Sequence, residues 1–339
     1  MITVDHVSKS YPASTRNSAP VPALRDVNLE IDAGSLHGIV GSANAGKSTL
    51  AKCIALLDQP DKGAVRVDGL NTTALENRKL RELRRQIGFL PSTADLQGDR
   101  TVAGNVAAPL ERRGLDGPQR RERVGSLLDL VGLTRRAAQP PVELSAGQRQ
   151  RVALATSLAA DPSVLVADDP TAGVQADESS AVLTVLDRIR AELGTTVLLT
   201  TPDAGVARRA CDGISLLDEG TVVQSGPVLG LLGEPGSQAA RLLLPEVDTD
   251  RRQEARFDRA VDVVLIGFAA VGALLPEAST RFDVELATIG GGVTRLGDTP
   301  VARFRLGVRG ERAEAALAWI EERGGLLTHA PRGPQRVAA

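Results

Sequence analysis

Gly41-Ser42-Ala43-Asn44-Ala45-Gly46-Lys47-Ser48-Thr49 decides how this chain is read. Its spacing is G-x-x-x-x-G-K-[ST], the pattern of a phosphate-binding loop. The flanks suit it. Leu36-His37-Gly38-Ile39-Val40 before it is short and mostly apolar, as a buried strand is. Residues 50–57 after it favour helix and are apolar on one face. In a strand, Gly-rich turn and helix of this kind, successive backbone N–H groups turn inward around a polyphosphate. The helix N-terminus adds unpaired donors and the positive end of its dipole. Lys47 brings a point charge to the terminal phosphates, and the Ser48 hydroxyl is placed to ligate Mg²⁺. Asn44 stands where many such loops carry another Gly; Asn is among the few side chains that tolerate left-handed backbone.

The 339 residues suggest two domains. A hydrophobic fraction of 42% and a charged fraction of 24% are ordinary for a globular protein. Net charge is −2, from 40 basic and 42 acidic residues, so the basic surplus of a nucleic-acid binder is missing. Aromatic residues make up 2%, too few for base-stacking platforms. No nucleic-acid partner is expected. The two cysteines, Cys53 and Cys211, lie outside any metal-ligand spacing and read as buried free thiols. Residues 1–6 lack a charged and apolar lead, so no signal peptide is expected. The longest uncharged apolar run, residues 263–275, is too short to span a bilayer. A cytoplasmic protein that meets a membrane only through a partner is the expectation.

Along the chain, residues 2–7 and 27–31 alternate as edge or antiparallel strands do. Between them lies a polar, Pro-rich loop (12–22) opened by Tyr11, the only tyrosine. Strands are expected at 64–67, 87–90, 163–169 and 195–200, and helices at 75–85, 149–160, 177–193 and 204–210. Residues 101–132 read as helical with breaks at Pro109 and 114–118. Residues 214–217 and 221–223 flank the turn Asp218-Glu219-Gly220 as a hairpin. Strands alternating with helices imply a mostly parallel sheet. Residues 246–259 are charged and read as a linker. Beyond it come strand (261–267), helix (269–280), strand (283–291), strand (300–308), helix (311–323) and strand (325–329), the β-α-β-β-α-β order of a small ferredoxin-like domain.

Asp168 ends an apolar strand downstream of the loop, where a second Mg²⁺-associated carboxylate belongs. Asp169 follows, where a general base for the attacking water would sit. The order of phosphate loop, then Leu144-Ser145-Ala146-Gly147-Gln148-Arg149-Gln150-Arg151-Val152, then Val164-Leu165-Val166-Ala167-Asp168-Asp169-Pro170-Thr171, resembles the ATP-binding subunit of an ABC transporter. Residues 101–111 and the tail resemble the methionine-importer type, in which a C-terminal ferredoxin-like domain binds the transported amino acid and inhibits transport.

The resemblance implies an α/β P-loop NTPase core of the ABC ATPase kind with a helical subdomain (1–245), the linker (246–259), and an α+β ferredoxin-like ligand-sensing or dimerisation domain (260–332). It implies ATP and Mg²⁺ as cofactors, with Gly41, Ser42, Ala43, Asn44, Ala45, Gly46, Lys47, Ser48 and Thr49 around the phosphates, Tyr11 stacking on adenine, and Ser48 and Asp168 at the metal. Asp169 and Lys47 are the implied catalytic residues, and Ser145, Gly147 and Gln148 belong to the signature that closes over the γ-phosphate held by a second ATP-binding subunit. The implied partners are that second subunit, identical or not, a transmembrane permease, and a small amino acid at the tail; the implied location is the inner face of the cell membrane.

Four positions depart from the family pattern. Ser92 stands in place of a Gln that joins the metal to the permease, and Asp169 in place of the catalytic Glu. Gln175 replaces the Asp that ends the following loop, and Pro202 the switch His. Losing a positioned base costs about 10²–10⁴-fold, and losing a γ-phosphate donor about 10²–10³-fold. Binding is kept and hydrolysis is eroded. Two readings follow: an importer ATPase of the methionine type that hydrolyses slowly, or a regulatory pseudo-ATPase that completes a partner's site or senses an amino acid.

Overall fold

The computed structural model describes residues 1–12, 19–234, 237–247 and 251–329. Residues 13–18 of the expected Pro-rich loop, 248–250 of the expected linker and 330–332 of the expected tail domain lie outside them. The chain divides into two units, Met1–Pro227 and Val228–Ala339.

The first unit runs β1 (Ile2–Tyr11), β2 (Val21–Ile31), β3 (Leu36–Val40), α1 (Lys47–Ile54), β4 (Lys62–Val67), β5 (Leu70–Asn71), α2 (Asn77–Arg84), β6 (Ile87–Leu90), α3 (Val102–Arg112), α4 (Gly117–Leu130), α5 (Ala146–Ser157), β7 (Val164–Asp168), α6 (Ala176–Leu193), β8 (Thr196–Thr201), α7 (Ala204–Ala210), β9 (Gly213–Asp218) and β10 (Thr221–Pro227). Every residue of β3, β7 and β8 is buried, the mark of a sheet covered on both faces. These strands lie in a six-stranded sheet of order β10-β9-β3-β8-β7-β6, parallel except for the β9–β10 hairpin. An antiparallel sheet of order β2-β1-β4-β5 stands beside it. Leu50, Ala51, Cys53 and Ile54 of α1 join Val164, Val166, Leu198 and strand residues such as Ile2 and Val65 in one core.

Most elements of the first unit lie where the sequence places them, and three differ. Pro109 does not break the helix but sits inside α3. It removes one hydrogen bond close to the helix end, while Val102, Val106 and Leu110 are buried along the same face. Helix α5 starts at Ala146 and not Arg149, because Ser145 and Gln148 form a capping box. Strands β1 and β2 continue into the expected loop, pairing Ser10 with Pro22 and Tyr11 with Val21.

The second unit holds α8 (Val228–Leu232), α9 (Gln238–Leu243), α10 (Arg251–Glu254), β11 (Arg259–Ile266), α11 (Phe268–Val271), α12 (Leu274–Phe282), β12 (Glu285–Leu296), β13 (Thr299–Arg309), α13 (Ala313–Glu322) and β14 (Leu326–His329). Its sheet is antiparallel with order β12-β13-β11-β14, the ferredoxin-like arrangement expected. Val261, Val263, Leu265, Leu306 and Val308 face the helices and pack with Ala278, Leu317 and Ile320. The alternation of a strand puts Asp262, Arg303 and Arg305 on the other face. There Arg305 grips Asp262 through Nε at 2.6 Å and Glu254 of α10 through Nη1 at 2.8 Å. The Phe257 ring lies on Gly307, where a Cβ would stand 2.3 Å from it. Residues 251–258, inside the stretch read as a linker, therefore fasten onto this face. Gly291 of the triple-glycine run sits at φ 96° close against the Arg303 carbonyl of its own sheet, and the bulge in β12 lies just before the run, between Thr288 and Gly290.

Candidate functional site

The loop after β3 closes tightly on its surroundings. Gly46 caps α1 at φ 101°, and a Cβ there would stand 2.4 Å from the Ala23 carbonyl oxygen. A Cβ on Gly41 would stand 2.2 Å from the Leu217 carbonyl oxygen, so both ends of the loop admit only Gly. Asn44 is left-handed at φ 66°, as its residue type allows. Ala45 is buried and donates its N–H to the Ser42 carbonyl at 3.3 Å. Lys47 Nζ reaches back across the loop to the carbonyls of Gly41 (2.8 Å) and Ser42 (2.6 Å). An ammonium has three donors, so a third remains for a phosphate oxygen. Burial lowers the Lys47 pKa, and the charges of Asp169 and Asp168 oppose that.

Strand register supplies the carboxylates. Pairing of β7 with β8 sets Asp168 beside Thr200. Asp168 Oδ1 accepts from Ser48 Oγ at 2.9 Å and from Thr200 Oγ1 at 2.7 Å. Thr200 Oγ1 in turn accepts from the Asp169 backbone N–H at 3.0 Å. Asp169 sits at φ 46°, and its pKa is raised by burial and then by the adjacent Asp168 charge, against the pull of Lys47. A raised carboxyl is closer to the pH at which a general base works. Lys47, Ser48, Asp168 and Asp169 are thus brought together, with Thr200 bridging the Asp168 carboxylate and the Asp169 backbone. Thr200 carries no motif; only the strand pairing assigns it.

Of the other departing positions, Pro202 shares a cavity with Asp169. Pro202 and Gln175 are exposed, and Gln175 starts α6 with no side-chain cap. Asp203, next to Pro202, caps α7 by accepting from Gly205 N–H at 2.7 Å. A cavity of about 360 Å³ is lined by Asp169, Thr171, Thr201, Pro202, Asp203 and Arg209 among others. Ser92 is half-buried in the loop after β6.

Tyr11 ends β1 with its hydroxyl donated to Asp58 at 2.6 Å. Burial and then Asp58 raise its pKa, and Lys9 Nζ stands 5.5 Å from the ring centroid.

The signature forms a separate group at the start of α5. Ser145 Oγ accepts from Gln148 N–H at 3.2 Å, and Gln148 Oε1 accepts from Ser145 N–H at 3.1 Å, so the Gln148 side chain is engaged in capping. Both Glu178 oxygens are gripped here: Oε1 by the Ser145 hydroxyl, and Oε2 by Gly147 N–H at 3.2 Å. Glu178 carries no motif and is found only through the packing of α6 on α5. Among the described residues no hydrogen bond or ion pair joins this group to the phosphate loop. None of their helices is long and apolar enough to cross a membrane.

Comparison with known proteins agrees with this arrangement. The ABC transporter family matches residues 24–172, and the NIL domain matches residues 259–326. The methionine import ATP-binding protein MetN of Thermobifida fusca is 39% identical over 335 residues, covering 98% of this chain and 100% of that protein. Its namesake in Myxococcus xanthus is also 39% identical over 335 residues, with the same coverage. A solved ATP-binding cassette, dimeric, in a post-hydrolysis state bound to ADP and Pi, superposes with a TM-score of 0.60 at 33% identity, covering 67% of this chain and 98% of that one. Identity at this level from end to end is shared descent: the chain belongs to the ATP-binding subunits of ABC transporters, nucleotide-binding ATPases that dimerise and drive transport through a transmembrane permease.

Proposed function

We propose that this subunit binds Mg·ATP at residues 41–49 and powers import of methionine or a similar amino acid with slow hydrolysis. The Ser48–Asp168 contact supports the nucleotide reading, because it sets a hydroxyl and a buried carboxylate side by side next to the loop. Mg²⁺ there would neutralise phosphate charge. Lys47 would hold the terminal phosphates, Tyr11 would stack on the base, and Asp169 would orient the attacking water. Ser145 and Gly147 would complete the site of a second subunit, identical or not, on the inner face of the membrane. Two relatives named as methionine import proteins support the substrate.

Slow turnover rests on Ser92, Asp169, Gln175 and Pro202. Aspartate is one methylene shorter than glutamate, and proline offers neither a side-chain donor nor an N–H. The same contrast, an intact signature beside an eroded hydrolytic set, favours a second reading, in which the subunit regulates or completes a competent partner. In the second unit, a cavity of about 500 Å³ lined by Gln253, Arg256, Phe257, Glu285, Ile289 and Arg309 suits a small amino acid.

Reconstitution with a co-expressed permease in liposomes tests the first reading. ATP-driven methionine uptake, lost in Lys47→Ala, is expected. ATP binding without uptake of any amino acid would move the assignment to the second.

A further inference from the structure

We infer that Glu178 occupies, within one subunit, the position that the partner's γ-phosphate takes on closure, and so sets the ATP concentration at which two subunits close. This rests on the proposed role of Ser145 and Gly147.

The chemistry of the contact is that of oxyanion capture. A serine hydroxyl and a backbone N–H at the start of a 12-residue helix are aimed at one anionic group. Each takes a different oxygen of the Glu178 carboxylate. The grip extends below the carboxylate: a Cβ on Gly147 would stand 2.8 Å from the Glu178 Cβ. Glycine here lets the α6 side chain lie directly on the α5 backbone.

A γ-phosphate brought to the same donors is also an anion. Two anions cannot share two donors without a large like-charge cost. Closure therefore requires the carboxylate to leave. Arg151, further along α5, is the cation that feels the Glu178 charge, and its Nε is buried without a hydrogen-bond partner. Glu178 lies in the first turn of α6, three residues after its N-cap Gln175, so a shift of the loop before α6 moves the carboxylate off the signature. Nucleotide capture and loop position become one equilibrium.

The size of the effect follows from population arithmetic. If the carboxylate holds the signature nine times in ten, the ATP requirement for closure rises about tenfold. The experiment is sedimentation of the full-length chain across a Mg·ATP titration, beside Glu178→Ala and the conservative Glu178→Gln. Calorimetry of ATP binding to the monomer runs in parallel. Both variants should dimerise at about a tenth of the ATP concentration that the parent needs, with unchanged monomer affinity, because Glu178 does not touch residues 41–49. Dimerisation of the variants at the same or a higher ATP concentration than the parent overturns the inference and leaves the nucleotide reading intact. Absence of ATP binding in all three proteins overturns both.

Discussion

Ser48 and Asp168 stand 120 positions apart and share a hydrogen bond of 2.9 Å. The bond exists because the helix after β3 and the end of β7 meet over one core, to which Leu50, Ile54, Val164 and Val166 all belong. Thr200 reaches the same Asp168 oxygen from β8. Three segments thus fix one carboxylate, and a fixed carboxylate is a better metal partner than a mobile one.

Removing the loop ammonium tests the centre directly. Lys47→Ala deletes the charge that lies across the loop and should weaken ATP binding by more than tenfold. Asp168→Asn keeps the Ser48 contact but removes the negative charge, and should abolish the Mg²⁺ dependence of binding. Calorimetry with and without Mg²⁺ reads both. An unmodified chain that binds no ATP would overturn the nucleotide assignment.

Hydrolysis by this chain should fall below the ordinary enzyme range of about 1–10³ per second. Pro202→His with Asp169→Glu should raise the rate more than either change alone, since both act on one transition state. Asp169→Glu alone should gain least. Position 169 is left-handed at φ 46°, where Asp is favoured over longer side chains. Steady-state phosphate release measures this, and a parent rate within the ordinary range would refute it.

The loop, Asp168, the signature and the tail order are legible in the sequence because each is local: a spacing, a strand end, a cap or an alternation. Thr200 and Glu178 are not. Thr200 acquires its role from the register of β7 with β8, and Glu178 from the packing of α6 on α5. Both are long-range facts with no local pattern. Pro109 shows the converse, a local signal outweighed by buried neighbours on the same helix. Residues 254–258 look like charged linker, yet Glu254 and Phe257 attach to the sheet through Arg305 and Gly307.

Stability should depend on pH through His37. It is buried, bonded through Nε2 to Ser215 Oγ at 2.8 Å, and burial pushes its pKa down from 6.5 to about 4. Above pH 6.5 the ring is neutral in both states and stability is complete. Between 6.5 and about 4 the unfolded chain takes a proton that the folded chain refuses, so stability is lost as pH falls. The full loss is on the order of 3 kcal/mol. Urea unfolding at neutral pH and near pH 5 should show a decline that His37→Asn reduces. An equal decline in both proteins would rule out His37 as the source.

The second unit should bind a free amino acid on the sheet face that α10 borders. The cavity there offers what a zwitterion needs. Arg256 and Arg309 are placed for an α-carboxylate, Glu285 for an α-ammonium, and Phe257 and Ile289 for an apolar side chain. Arg309 and Glu285 already face each other at 3.4 Å and are half-exposed, so a ligand can part them at small cost. Phe257 sits under the Arg309 guanidinium, 5.6 Å from its ring centroid, and closes one side of the cavity. Calorimetry of the full chain should find methionine or another apolar amino acid binding, weakened tenfold or more by Arg309→Ala or Glu285→Gln. Gly307→Ala should act at a distance from the polar groups. Its Cβ would enter the Phe257 ring and push it into the cavity, lowering affinity with the charges intact. A ligand regulates only if it binds the active and inhibited states differently. Hence deleting residues 246–339 should leave ATP binding unchanged and abolish every response to amino acid. If none of the twenty amino acids binds the full chain, the unit serves to join two subunits and senses nothing.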